Sequence, residues 1–375
     1  RLTLFLLPLE HMGRVRPLFR KMEMHLALQA LLAGEVSAPV YVDDIEHPHL
    51  ALTRIQSRVY LAGKPGSQAL AEAARNVFFG VLMRQALQDG RGDYLLFYPD
   101  AAWEPFIALM LKEREPYLRG MQHYSFKEAK ANWRSMLPVG MEVREVNAAL
   151  LAEDWQNPDF LTEEMCSERP SVEDFLARSF GVCLTRADEI LGWCLSEYNT
   201  HHRCEVGIAV RGDARRRGLA TMLALAFVEM AQSRGVARVG WHCSARNVAS
   251  GKTALKAGFE YVCDYPVYLG SFDPALNMGQ RAYFQLMDEN FADALASYEK
   301  ALALPDAPEW THFGAGCAAA MLGQTERALA HLAAAVEHGA EDGDDFRESK
   351  FLTSLRDNLQ FNLLIEKLDQ RAREQ

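Results

Sequence analysis

The segment Arg215-Arg216-Arg217-Gly218-Leu219-Ala220 places three arginines and a glycine directly before a long apolar run, in a chain whose formal net charge is -10. That pattern suits an anion. The first N–H groups of a helix have no internal partner and point outward. The helix dipole adds partial positive charge at the same end. Glycine at 218 permits positive φ and a close approach of backbone to a ligand, and the small Ala220 keeps that approach open. A pyrophosphate can be held this way without being enclosed in side chains, and the arginines add charge around it.

Other chemistry-bearing residues read more plainly. Gly251-Lys252-Thr253 ends like a phosphate loop, but that motif needs glycine five residues earlier, where Arg246 stands. The seven cysteines are scattered, with no Cys-x-x-Cys, which reads as buried thiols in a reducing compartment and not as a disulfide framework or zinc site. No metal site is expected. Cys243 reads as a structural thiol, because His242 points to the opposite face of the same strand. Trp193 and Trp241 read as core. Asp43, Asp44, Glu46 and His47 either form a solvated acidic turn or reach toward a cationic group, and the turn is the simpler reading.

Elements must position the arginine loop. Met141–Val146 alternates as a strand, and two helices follow, the second capped by Ser171. Two strands meet around a turn at Asp188, and Cys204–Val210 is a third strand. The loop then opens a helix that ends near Gly235. A strand follows, then a helix with Asn247 at its start and Gly258 just past its end. Phe259–Leu269 closes as a strand. The order is β-α-α-β-β-β-α-β-α-β, with antiparallel strands first and a helical crossover joining two later parallel ones.

Residues 271–375 are alanine-rich and helical. Ala294/Ala328, Leu295/Leu329, Tyr298/Leu332, Ala301/Ala335 and Ala282/Gly316 recur at an offset of 34 residues. This resembles the tetratricopeptide repeat, whose small residues let paired helices pack closely. Residues 1–138 hold two or three strands, a helix over residues 68–90, and then a strand and a helix. They loosely repeat the order of the middle region without its arginine loop. The expected fold class is α+β, a mixed antiparallel and parallel sheet. Its domains are an N-terminal α/β lobe at 1–138, a central domain at 139–270 and an all-α repeat domain at 271–375. At 375 residues, two or three domains are normal.

Arg215-x-x-Gly218-x-Ala220 matches the acyl-CoA signature of the GCN5-related N-acetyltransferase (GNAT) superfamily, which residues 141–269 resemble. Val210, five residues before Arg215, and Asn247, Ser250, Gly258 and Phe259 fit the same pattern. The wording from Glu205 to Ala220 and from Trp241 to Tyr261 looks closest to the zwittermicin-resistance type. That type has a long first half taken as a degenerate second acetyltransferase lobe.

The resemblance implies acetyl-CoA as co-substrate, lying between the strands at 204–210 and 236–244. Backbone groups of Ile208, Ala209 and Val210 would pair with the pantetheine arm. N–H groups of Arg216, Arg217, Gly218, Leu219, Ala220 and Thr221 would hold the pyrophosphate, beside Arg215. Asn247 and Ser250 complete the cofactor set. The acceptor amine attacks the thioester directly, so orientation and electrostatics carry the catalysis. Glu205 is the expected general base, or it merely pairs with a neighbour such as Arg203. Glu197 and His201 are weaker candidates. Where many members carry an acidic tyrosine, this chain has Ala254. The proton donor is then Tyr265, Tyr261, Tyr268, Ser250 or water, or the thiolate leaves unassisted, since a free thiol has a pKa of about 8.5.

The acidic balance excludes general nucleic-acid binding. The N-terminal apolar run is too short to span a membrane and lacks the marks of a signal peptide. It reads as a buried first strand or helix. The missing initiator Met suggests a trimmed chain, and cytoplasm is the default location. The expected activity is N-acetyl transfer to a small-molecule amine. The competing readings are a non-catalytic acyl-CoA sensor, and a protein acetyltransferase whose repeats recruit a protein partner.

Overall fold

The computed structural model describes residues 2–200, 202–215 and 218–374. His201, Arg216 and Arg217 lie outside the described residues. The chain forms two compact units. The first takes Arg1–Phe78, Leu96–Phe106 and Arg119–Val267, and the second Phe79–Leu95, Ile107–Leu118 and Tyr268–Gln375.

The strands are β1 (Phe5–Leu6), β2 (Val40–Val42), β3 (Leu50–Ile55), β4 (Arg58–Gly63), β5 (Asp93–Phe97), β6 (Tyr117–Phe126), β7 (Glu142–Glu145), β8 (Gly181–Arg186), β9 (Glu189–Thr200), β10 (Arg203–Val210), β11 (Arg238–Ser244) and β12 (Phe259–Ser271). They order as β1-β2-β3-β4-β5-β12-β6-β11-β10-β9-β8-β7. The first five strands and the later five flank the pair β12 and β6 in mirror order.

β7, β8, β9 and β10 pair antiparallel in succession, as their short connections require. β10 and β11 are parallel, joined by the helix Leu219–Ser233. That helix is apolar almost all round and ten of its fifteen residues are buried, so it serves as core. It packs with Phe180, Leu184, Leu191, Trp241 and Phe259 in one cluster. Trp193 belongs to a second cluster with Leu161, Met165 and Phe175.

One expectation fails at the N-terminus. Phe5 and Leu6 of the two-residue strand β1 are 45% and 56% exposed. The inward positions fall instead to the flanking residues Leu4 and Leu7. Gly251-Lys252-Thr253 lies inside the helix Val248–Ala257, which rules out a phosphate loop there. The seven cysteines are free.

The second unit carries the helices Pro274–Met287, Phe291–Leu302, Trp310–Met321, Thr325–Glu337, Gly343–Glu348 and Leu359–Glu374. Successive helices of the first four pack on one another. Ala294, Ala301, Ala328 and Ala335 are buried at these contacts. Gly314 is required by close approach: a Cβ there would stand 2.2 Å from the Tyr298 ring. Among the described residues no helix is long and apolar enough to cross a membrane.

Candidate active site

The site begins where two parallel strands part. The register of β10 with β11 runs from Arg203↔Arg238 to Val206↔Trp241. Beyond it, β10 keeps only its antiparallel neighbour β9, through Gly207↔Leu195, Ile208↔Cys194, Ala209↔Trp193 and Val210↔Gly192. β11 likewise continues with β6, through His242↔His123, Cys243↔Gln122 and Ser244↔Met121. Among the described residues, the facing edges of Gly207–Val210 and His242–Ser244 have no strand between them. Backbone groups on such an edge are free to bond an extended ligand.

The loop follows at once. Arg215 Nε donates to the Val210 carbonyl at 3.1 Å, folding the loop back on the strand end. Arg211 is committed to Glu189 and Asp213. Gly218 caps the helix Leu219–Ser233 with φ +74°, and among the described residues it has no side-chain cap hydrogen bond. Among the described residues a Cβ at 218 would meet only Met136 Cε, at 3.8 Å, so the positive φ and not space calls for glycine there. An uncapped helix start of this kind can accept an anion.

Asn247 and Ser250 are engaged within the protein. The Asn247 side chain accepts from Ser250 N at 3.1 Å and caps its helix. Ser250 Oγ accepts from Trp241 Nε1 at 3.0 Å. Ala254 is fully buried in the core cluster, so the helix offers no room for a tyrosine at that position.

Glu205 is 4% exposed and lies on the last paired stretch of β10. Its Oε1 accepts from Leu26 N at 3.2 Å, the first N–H of the helix Leu26–Leu32. Arg203, a candidate partner for it, instead donates to the Glu23 carbonyl. His242 Nε2 stands 3.2 Å from Glu205 Oε1, off the hydrogen-bond axis. Burial raises the Glu205 pKa, but His242, Arg58 and His25 outweigh it and hold the carboxyl at about 2. Tyr265 Oη lies 2.8 Å from His242 Nδ1. Burial, with Glu205 nearby, pushes the Tyr265 phenol well above its ordinary value. The phenol is half-buried.

Sequence reasoning missed the groups around this pair. His123 stacks on His242 with ring centroids 4.3 Å apart. His25 sits 5.2 Å from Tyr265 and 4.8 Å from Phe97 by the same measure. Burial drives both imidazoles down, His25 to about 3 and His123 to about 4, so both are neutral at neutral pH. Arg58 donates from Nε and Nη2 to Glu168 Oε1 and from Nη2 to Glu197 Oε2. Tyr198 donates to Glu168 Oε2 at 3.0 Å. Burial raises Glu197 to about 8 against the pull of Arg58, and raises Glu164 to about 7. These residues come from segments up to 240 positions apart, so no local spacing announces them. The adjacent Trp241-His242-Cys243 run was visible, but its histidine drew no role.

The acidic residues near the N-terminus go elsewhere. Asp44 accepts from the N–H groups of Glu46 and His47, and Asp43 from those of His49 and Leu50. Glu46 pairs with Arg14. They build their own turn, as the simpler reading held. Among the described residues no group of three or more ligating side chains could hold a metal.

A family model described as GNAT acetyltransferase matches residues 16–268. The chain is 23% identical over 240 residues to an uncharacterized N-acetyltransferase, YdfB, of Bacillus subtilis (strain 168), across 64% of this chain and 88% of that protein. The crystal structure of a GCN5-related N-acetyltransferase-like protein from Streptococcus suis 89/1591 shares the fold at a TM-score of 0.50 and 22% identity, covering 69% of this chain and 98% of that one. A tandem GNAT protein from the clavulanic acid biosynthesis pathway, solved without AcCoA, gives a TM-score of 0.47 at 13% identity, over 72% and 99% of the two chains.

Proposed function

Since the chain belongs to the GNAT acetyltransferase family, we propose that this enzyme transfers an acetyl group from acetyl-CoA to the primary amine of a small molecule. One relationship carries the reading. The strand edge opened at Gly207–Val210 leads within eight residues to an uncapped helix N-terminus at Gly218. An edge followed by an anion site suits a ligand with an amide-bearing arm and a pyrophosphate.

In this reading the backbone of Ile208, Ala209 and Val210 aligns the arm. The N–H groups of Leu219, Ala220 and Thr221, with Arg215, Arg216 and Arg217, take the pyrophosphate. Asn247 and Ser250 act by fixing the start of their helix and the Trp241 ring beside the opening. Glu205 and Tyr265 handle protons. The amine attacks the thioester directly, and the protein contributes alignment and fixed dipoles. The ionised carboxylate of Glu205 near the opening suits a compact cationic acceptor. The mirror order of the strands supports a second, loop-less acetyltransferase-like lobe in residues 1–138, as in the zwittermicin-resistance type. The helices after residue 271 serve in this reading as a tetratricopeptide-like brace.

Calorimetric titration of acetyl-CoA tests this, with Gly218→Glu as control. Glutamate there strains the positive φ and repels pyrophosphate. Binding that disappears in the variant is the expected result. No binding by the wild-type protein overturns the proposal.

A further inference from the structure

We propose that Glu205, His242 and Tyr265 form one proton relay, in which His242 is the positioning residue and the Tyr265 hydroxyl is the group that meets the substrate amine. The inference rests on the acetyl transfer proposed above and changes the task of Glu205 within it.

The geometry fixes the order of the chain. Glu205 Oε1, His242 Nε2, His242 Nδ1 and Tyr265 Oη follow one another with gaps of 3.2 and 2.8 Å across the ring. Glu205 is buried and already accepts from Leu26 N at the start of a helix, which favours its anion. An ionised carboxylate beside Nε2 selects the tautomer with hydrogen on Nε2. Nδ1 then accepts, and the Tyr265 hydroxyl donates to it. This is the logic of carboxylate, imidazole and hydroxyl, with a phenol as the terminal group. Of the three, Glu205 is enclosed while His242 and Tyr265 are each partly exposed, and Tyr265 ends the line, so its hydroxyl is the group the relay offers to a ligand.

The charged and titratable groups facing His242 are Glu205 on β10, His123 on β6, Tyr265 on β12 and His25 before the helix Leu26–Leu32, with Arg58 on β4 acting on Glu205 and His25. Glu205 is the anion among them that touches the ring. As the amine bonds to the acetyl carbon, its proton passes to Tyr265 Oη while the phenol proton passes to His242 Nδ1. The imidazolium so formed stands against Glu205. When the carbon–sulfur bond breaks, the proton returns by the same path to the departing sulfur. No oxidant or further reactant enters.

The full chain with ¹⁵N-labelled imidazoles tests the relay by NMR. The expected state of His242 is Nε2–H with an accepting Nδ1. Tyr265→Phe, which keeps the ring, is expected to move the Nδ1 signal, and Glu205→Gln to move the Nε2 signal. A His242 protonated on Nδ1, or signals that ignore Tyr265→Phe, would overturn the relay. Calorimetry of the same sample with acetyl-CoA separates the two ideas. Binding alongside a wrong tautomer sinks the relay and leaves acetyl transfer standing. Absence of binding sinks the transfer and the relay's task with it, whatever the tautomer.

Discussion

Tyr265 Oη lies 2.8 Å from His242 Nδ1, and the far nitrogen of the same ring lies 3.2 Å from Glu205 Oε1. A carboxylate held at about 2 is a poor proton acceptor at neutral pH, because general-base efficiency needs a pKa near the working pH. Glu205 therefore serves as fixed negative charge, and the proton moves at Tyr265. Tyr265→Phe is expected to lower kcat by roughly 10²- to 10⁴-fold and leave the acetyl-CoA Kd unchanged. The measurement is steady-state turnover with an acceptor amine found by mass-spectrometric product screening. An unchanged kcat would remove Tyr265 from the chemistry.

The buried imidazoles set an acid limit on stability. Burial, then His242, hold His25 at about 3 against an ordinary 6.5, and His123 is held at about 4. Between those values and 6.5 the folded state binds fewer protons than the unfolded one. Their contribution is full above 6.5 and lost as pH falls toward 3. Glu205 adds its own loss below about pH 4.5, down toward 2. Glu197, raised to about 8, and Glu164, raised to about 7, act in the opposite sense and lower stability as pH climbs from 4.5. Thermal unfolding followed from pH 4 to 9 is expected to show losses on both sides of a maximum. His25→Gln should flatten the acid side and Glu197→Gln the alkaline side. An acid side identical in His25→Gln and wild type contradicts the assignment.

The guanidinium of Arg58 holds Glu168 and Glu197 together, with the three side chains 16%, 19% and 25% exposed. Removing one partner from such a group leaves charges uncompensated in a poorly solvated place. Arg58→Met is expected to cost about 3–5 kcal/mol in urea denaturation. Arg58→Lys should recover part of that and not all, since an ammonium lacks the planar fork. A loss under about 0.5 kcal/mol, as for exposed pairs, would show that the trio carries no net stability.

What the sequence made legible follows from how local each constraint is. Gly218 is readable because positive φ before an apolar helix is a property of adjacent residues. Glu205 is readable because a carboxylate inside an apolar strand is conspicuous. The offset of 34 residues is readable because Ala294 and Ala328 are buried at like positions of alternate helices, Phe291–Leu302 and Thr325–Glu337. Arg58, His25 and His123 were hidden, since sheet order alone brings β4, β6 and the approach to residue 26 around Glu205. The burial of Ala254 was hidden for the same reason. Pattern predicted strands, but only pairing could say which edges stay open.

Two glycines with positive φ make opposite demands on space, and alanine tells them apart. At Gly218 (φ +74°) an added methyl meets nothing among the described residues nearer than Met136 Cε at 3.8 Å. Gly218→Ala should cost only the left-handed strain, about 1–2 kcal/mol, and the chain should fold. At Gly258 (φ +102°) the methyl would lie 1.7 Å from the Glu128 carbonyl oxygen. The backbone there is already fixed, because Gly258 O accepts from the N–H groups of Lys127 and Glu128 at the end of β6. That strand carries His123, which stacks on His242. Gly258→Ala is therefore expected to cost more than about 3 kcal/mol and to disturb the His242 environment as well. Chemical denaturation of the two variants side by side measures the difference. A Gly258→Ala protein within about 1 kcal/mol of Gly218→Ala would mean that the end of β6 yields freely, and that its grip on the site is weaker than the hydrogen bonds imply.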